Sequence, residues 1–301
     1  MRAPRNRTIE LAEDEIASLR SQVGPDETNG ASLIQGDSLE VLPQLKVASF
    51  DLLFADPPYN LTKTFGEEKF LRTSDDAYEA FLDSWLLLCV PLLKATASVY
   101  VCGDWRSSAA IQRVGSKYFK LRNRITWERE KGRGAKANWK NAAEDIWFFT
   151  ASDEYTFNLD AVKQRRRVMA PYRENGKAKD WDEAGKFRDT HPSNLWTDIT
   201  VPFWSMPENT DHPTQKPEKL LAKIILASTN PGDLILDPFA GSGTTAVVAK
   251  KLDRKFVAIE SDEHYCLVAA KRLELAENDP SIQGLSDGVF WERNSSPARN
   301  K

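Results

Sequence analysis

From Ser32 onward, short unbroken apolar runs alternate with stretches in which apolar residues recur every three or four positions. Leu33-Ile34 lead into a Gly36-Asp37 turn, and Phe50-Asp51-Leu52-Leu53-Phe54-Ala55 reads as a fully buried strand. Tyr78, Phe81, Leu82, Trp85, Leu88 and Leu92 share one face of a helix over 76–94, and Ala97 to Cys102 forms the next strand. Ile125-Thr126-Trp127 and Ile146-Trp147-Phe148-Phe149 predict two more strands with a basic, glycine-containing loop between them.

Residues 152–211 follow neither period and mix aromatic, basic and proline residues, as an inserted lobe does. Regularity then resumes. Pro217 to Ser228 predicts a helix opened by proline, Leu234 to Leu236 a strand, Thr244 to Leu252 a helix, Phe256 to Ile259 a strand, and a last helix begins at Asp262. Such alternation predicts an α/β fold on a mostly parallel, doubly wound sheet. The polar stretch 1–30 carries a short helix over Ile9 to Val23, ended by Gly24-Pro25; beyond Asn278 the chain is polar again and a loosely ordered tail is expected. The chain thus divides into an extension (1–30), a first half of the main domain (31–151), an insertion (152–211), a second half (212–278) and a tail (279–301).

At 301 residues and 41% hydrophobic content, one domain with an insertion can bury a sizeable core. No apolar run is long enough to cross a bilayer, and Met1 to Arg20 carries charges where a signal peptide has an apolar core, so the expectation is a cytoplasmic protein with no membrane partner. Cys89, Cys102 and Cys266 lie far apart in apolar surroundings and only three His accompany them, which predicts neither disulfides nor a metal site. The formal net charge is −3, but residues 117–140 hold nine Lys or Arg against two Glu, and residues 161–190 hold nine against five acids. Basic stretches of that kind can neutralise phosphates, with Arg129, Lys131, Arg133, Lys136, Arg165, Arg166 and Arg167 as the candidate contacts; a solvated surface explains them equally well.

Two strings carry chemistry. In the first, a strand runs into Asp237-Pro238-Phe239-Ala240-Gly241-Ser242-Gly243-Thr244-Thr245 and then into a helix. Glycines let the backbone turn sharply and approach a ligand, and Glu260, nineteen residues after Gly241 at the end of the following strand, can accept hydrogen bonds from ribose hydroxyls. An adenosine-containing cofactor fits. The turn alone does not separate a nicotinamide dinucleotide from a methyl donor.

The second string, Asp56-Pro57-Pro58-Tyr59, follows the buried strand directly, at the end of the strand where open α/β sheets place ligands. The exocyclic amine of a nucleobase is a poor nucleophile because its lone pair is delocalised into the ring. Acceptors that hold both N–H groups favour the tetrahedral nitrogen, and Asp56 with the carbonyl of Pro57, stiffened by Pro58, can supply them. Tyr59 offers a stacking surface for a base flipped out of a duplex.

Together these residues resemble the amino-group DNA methyltransferases, in the permuted β-class order where the catalytic motif precedes the cofactor loop. The likeness covers about 250 residues, from Ser32 to Ala276. It implies a Rossmann-like methyltransferase fold, S-adenosyl-L-methionine as cofactor and DNA as substrate, with Asp56, Pro57, Pro58 and Tyr59 catalytic. It implies a cofactor site built from Asp37 and Ser38 of the early turn, His212, Thr214, Gln215 and Lys216 of His212-Pro213-Thr214-Gln215-Lys216-Pro217, the loop residues Asp237, Phe239, Ala240, Gly241, Ser242, Gly243, Thr244 and Thr245, and Glu260. It makes residues 152–211 the target-recognition region, turns the basic loop 129–141 toward DNA, and leaves a homodimer and a cognate restriction endonuclease open as partners.

A nicotinamide dehydrogenase would use the glycines and Glu260 but gives Asp56 to Tyr59 no role. Cytosine C5 chemistry needs an activated Cys, typically after Pro, and no Pro-Cys pair occurs. Within the resemblance, Asp56 favours adenine N6 over cytosine N4, where Ser often leads the tetrad; an RNA methyltransferase and a catalytically silent binding module remain as alternatives.

Overall fold

The computed structural model describes residues 5–24, 31–61, 63–65, 68–70, 72–129, 137–169, 172–179, 181–182, 186–293 and 295. Among them the central sheet has eight strands: β1 (Ser32–Gln35), β2 (Phe50–Ala55), β3 (Leu93–Gly103), β4 (Lys120–Glu128), β5 (Ala143–Thr150), β6 (Leu195–Trp196), β7 (Leu234–Asp237) and β8 (Lys255–Glu260). Their spatial order is β1-β8-β7-β2-β3-β5-β4-β6. The first five run parallel, β5 runs antiparallel to both its neighbours, and β6 runs parallel to β4.

Both faces of the sheet are covered, which explains the unbroken apolar runs. Successive residues of a strand point to opposite faces, so Leu52 and Phe54 join one core cluster while Leu53 and Ala55 join the other. On the first face lie helices α3 (Glu218–Ser228), α4 (Thr244–Lys251) and α5 (Glu263–Asn278); on the second lie α1 (Asp75–Cys89) and α2 (Ser108–Tyr118). Helix α1 starts where Ser74 Oγ accepts the Ala77 N–H at 3.2 Å, with Asp75 and Asp76 in the first turn beside the positive end of the helix dipole. Its apolar stripe buries Tyr78, Leu82, Trp85, Leu86 and Cys89, and each such large side chain contributes about 1.5–3 kcal/mol.

Strand β2 leads through α1 to β3 on one side of it, while β7 leads through α4 to β8 on the other. The adjacent pair β7 and β2, registered at Ile235↔Leu52 and Leu236↔Leu53, is therefore the point where strand order reverses. At such a point the two outgoing loops diverge and leave a crevice beyond the strand ends. Asp56-Pro57-Pro58-Tyr59 follows one of these strands and the glycine turn follows the other.

The periphery differs from the sequence expectation in three places. The N-terminal helix spans only Ile16–Arg20, because the preceding backbone pairs elsewhere: Arg7 N–H donates to Trp204 O and Ile9 N–H to Asn209 O. Residues 152–211 do not form a self-contained lobe. Leu195–Trp196 joins the central sheet, and Gln164–Arg167, Trp181–Asp182 and Phe187–Thr190 form a second sheet completed by Leu285–Ser286 and Val289–Trp291. Those last strands lie in the stretch expected to be a loose tail, yet Phe290 and Trp291 are buried against the insertion. Among the described residues no helix is long and apolar enough to cross a membrane.

Candidate active site

The Gly-rich turn is shaped by two left-handed glycines. Gly241 has φ +53° and Gly243 φ +75°. A Cβ on Gly241 would stand 2.9 Å from His212 Nε2, and one on Gly243 would stand 2.5 Å from the Ala269 Cβ. His212 therefore packs over the turn from one side, its ring edge-on to Tyr265, while α5 supports it from the other. The Gly241 N–H donates to Glu260 Oε2 at 2.7 Å and the Asp262 N–H to Oε1 at 2.9 Å. Burial pushes the Glu260 carboxyl up despite these donors.

Asp237 closes β7 and organises the turn from within: it accepts the Phe239 N–H at 3.0 Å and the Thr245 hydroxyl at 2.5 Å. Burial, reinforced by the fields of Asp56 and Glu260, pushes its carboxyl up to about 7. The Phe239 ring leaves the turn to meet Trp85 edge-on at 5.1 Å. Ser242 and Thr244 are held by the buried Arg272 guanidinium, which also pairs with Glu218. At the neighbouring edge the Gly36 N–H donates to Glu260 O at 2.9 Å, Ser38 Oγ donates to Pro238 O, and Asp37 caps the short helix Ser38–Val41 by accepting the Leu39 N–H.

The segment 212–217 splits its residues between two tasks. Gln215 is buried and tied to Thr210 and to Glu208 O, and Thr244 Oγ1 donates to Lys216 O at 3.1 Å, so the loop backbone is fastened on both sides. The Lys216 ammonium leaves the glycine turn altogether and pairs with Asp56 Oδ2.

Around Asp56 lies a buried polar cluster. The Tyr59 hydroxyl is 2.7 Å from Asp56 Oδ1 and 3.2 Å from Glu144 Oε2; its single proton goes to the nearer acceptor. Lys216 Nζ donates to the Tyr59 oxygen at 3.2 Å and lies 3.4 Å from Glu144 Oε2. Arg129 Nη1 pairs with Glu144 Oε1 at 2.5 Å. Two carboxylates thus face two cations. Burial opposes the charge on Lys216, but Asp56 and Glu144 outweigh it and hold the ammonium well above its ordinary value. Burial, then the same two carboxylates, push the Tyr59 phenol up, so it stays neutral. Burial likewise works against Glu144, and Lys216 and Arg129 reverse it to hold the carboxyl below its usual range. The turn after Tyr59 is pinned by Tyr78, whose hydroxyl donates to Pro58 O at 3.2 Å, and by Asn60, whose Oδ1 accepts the Thr73 N–H and whose own N–H donates to Ser107 Oγ at 3.2 Å.

Of the candidate DNA contacts, Arg165 is engaged by Asp189 through two bonds of 2.7 Å and lies over the Trp291 ring. Arg166 donates to Gln164, Arg167 is exposed, and Arg129 points inward to Glu144. Lys131, Arg133 and Lys136 lie outside the described residues. Sequence reasoning passed over Glu144, Arg272 and Glu208, and read Tyr78 only as part of an apolar helix face. Glu144 did leave a signal: it shares the inward phase of β5 with Ile146 and Phe148, where a charge demands a partner. Among the described residues no group of His, Cys, Asp or Glu is arranged to hold a metal ion, and all three cysteines are free and buried.

A switch-point crevice with an acidic proline tetrad on one strand and a glycine turn on the next defines a nucleotide-cofactor transferase of the α/β class. The family described as DNA methylase, N6_N4_Mtase, matches residues 50–271, and the chain belongs to it. It is 35% identical over 254 residues to DNA adenine methyltransferase YhdJ of Escherichia coli (strain K12), covering 82% of this chain and 84% of that one. It is 33% identical over 252 residues to Type II methyltransferase M.HpaI of Haemophilus parainfluenzae, covering 80% and 74%. The crystal structure of the M1.HpyAVI–SAM complex shares the fold with a TM-score of 0.51 at 23% identity, over 79% of this chain and 97% of that one.

Proposed function

We propose that this chain methylates adenine N6 in a short DNA sequence, with S-adenosyl-L-methionine as methyl donor. The observation that carries the reading is the convergence of Asp56 and the Gly241–Gly243 turn on adjacent strand ends of one sheet edge. Family membership and the likeness to an adenine methyltransferase support DNA and adenine.

The residues present fit the donor. Asp56, Asp237 and Glu260 lie close enough for the first and third to raise the second, an acidic surround suited to a sulfonium cation. A Cβ on Gly241 would collide with the His212 ring, so the glycine is what lets His212 pack over the turn. Glu260 and Asp37 would accept from the ribose hydroxyls and the adenine amine, Phe239 and the turn would flank the methionine part, and His212 would cover it. When bound, the donor supplies an electrophilic methyl carbon on sulfur, whose transfer leaves a neutral thioether.

The chain's own work is to prepare the nucleophile. Asp56 and the Pro57 carbonyl accept the two amine N–H groups, turning the nitrogen lone pair outward. Tyr59 stacks on the flipped base. One amine proton is surplus once the new N–C bond forms, and Asp56 is the acceptor already hydrogen-bonded to it. Working on DNA, the enzyme belongs in the cytoplasm; a second copy of the chain or a cognate endonuclease would be an additional partner, not a component of this site.

The test is to express the chain in cells lacking other adenine methylation and map modified bases by single-molecule sequencing. N6-methyladenine at one short motif is the expected result. N4-methylcytosine, or unmodified DNA from an enzyme that binds the donor, would overturn it.

A further inference from the structure

Asp56 and Glu144 flank the same two side chains, Lys216 and Tyr59. Tyr59 and Lys216 lie between them, and Arg129 closes the far side of Glu144. Glu144 is 5% exposed, comes from the antiparallel strand β5 and belongs to no motif. Its position has a consequence for Asp56. A buried ammonium seeks all the carboxylate oxygen within reach, and the target amine must find an Asp56 lone pair that Lys216 does not occupy.

Resting on the methyl-transfer reading above, we propose that Glu144 is a positioning residue: by holding Lys216 and Tyr59 from the side opposite Asp56, it keeps Asp56 available to the target amine. Arg129 in turn keeps Glu144 in place, its Nη1 2.5 Å from Oε1. Without the Glu144 carboxylate the buried Lys216 ammonium would keep Asp56 as its one carboxylate partner among the described residues. Lys216 would then draw onto Asp56 and compete with the substrate. The groups facing the ammonium are Asp56 and Tyr59 after β2, Cys102 of β3 and Glu144 of β5. Removing one of its two carboxylates loosens the Lys216 proton, so the effect carries a pH signature.

The experiment uses the full-length Glu144→Gln variant, which keeps the size and loses the charge, with Glu144→Ala beside it. Wild type and variants are compared on a duplex carrying the mapped site, by single-turnover methylation across pH, by calorimetry with S-adenosyl-L-methionine, by 2-aminopurine fluorescence at the target base and by thermal unfolding. For Glu144→Gln we expect a single-turnover rate about 100-fold lower, the cost of misplacing a reacting group by an ångström or so. Donor affinity and base flipping should stay within about threefold, and the deficit against wild type should narrow as pH rises, because the loosened Lys216 proton is lost and the neutral amine releases Asp56. Should Glu144→Ala not fold, Glu144→Gln decides. A rate within about threefold of wild type, or a loss that is the same at every pH, overturns the inference. A wild-type enzyme that methylates no DNA overturns the functional reading itself, and the inference with it.

Discussion

The Gly241 N–H donates to the Glu260 carboxylate at 2.7 Å, tying the glycine turn to the end of the next strand across nineteen residues. This carboxylate supports the turn, and in the proposed function it also accepts from the ribose hydroxyls. Glu260→Ala should therefore weaken S-adenosyl-L-methionine binding at least tenfold, since a hydrogen bond to a charged group contributes about 1.5–3 kcal/mol. Calorimetry checks it. Unchanged affinity would place the ribose elsewhere.

Asp56 touches the target amine in the proposed reaction, in which the ribose contact is assigned to Glu260. Asp56→Ala should abolish methylation while donor affinity stays within about tenfold. Tritium transfer and calorimetry on the same preparation separate the two, and loss of donor binding would move Asp56 into the cofactor site.

Gly243 combines a left-handed backbone with an Ala269 Cβ where its own would stand. Gly243→Ala adds overpacking of about 1–3 kcal/mol to a backbone cost of about 1–2 kcal/mol. Urea unfolding measures the loss; less than about 1 kcal/mol would mean that α5 can retreat.

Asp237, raised by burial to about 7 from an ordinary 3.8, holds its proton in the folded chain while the unfolded chain has already ionised. Folding is thus favoured least above that window: stability drops as pH rises from about 4 to about 7 and the Asp237 contribution is flat beyond. In the donor-free protein, Asp237→Asn should show a melting temperature that gains on wild type across that interval. Parallel curves would show that Asp237 ionises normally.

Arg165 and Arg167 sit two residues apart with different prospects. Arg165 is spent on Asp189, whose carboxyl it holds below the usual range, whereas Arg167 is exposed. Arg167→Ala should lower the slope of log affinity against log salt by about 1. Arg165→Ala should lower the melting temperature and leave that slope unchanged. Fluorescence anisotropy with duplex DNA over a salt series distinguishes them, and the reverse pattern would show the Asp189 pair yielding to phosphate.

What the chain's order of residues determined by itself was everything local or periodic. The two-sided burial of Leu52 to Ala55 is written as an unbroken apolar run, the amphipathic α1 as a stripe from Tyr78 to Trp85, and the turn as glycines that adopt φ +53° and +75° without steric cost. Asp56 and Glu260 were legible because each directly follows or ends such a strand. Tertiary structure decided what depends on distance across the chain. It sent Lys216 from the turn it flanks in sequence to Asp56, drew Arg129 inward to Glu144, set Arg165 on Asp189, and folded Val289–Trp291 against the insertion. Charge pattern along a chain does not say which ions meet, because a buried ion is placed by the partner that offsets its desolvation, and that partner is chosen by the fold.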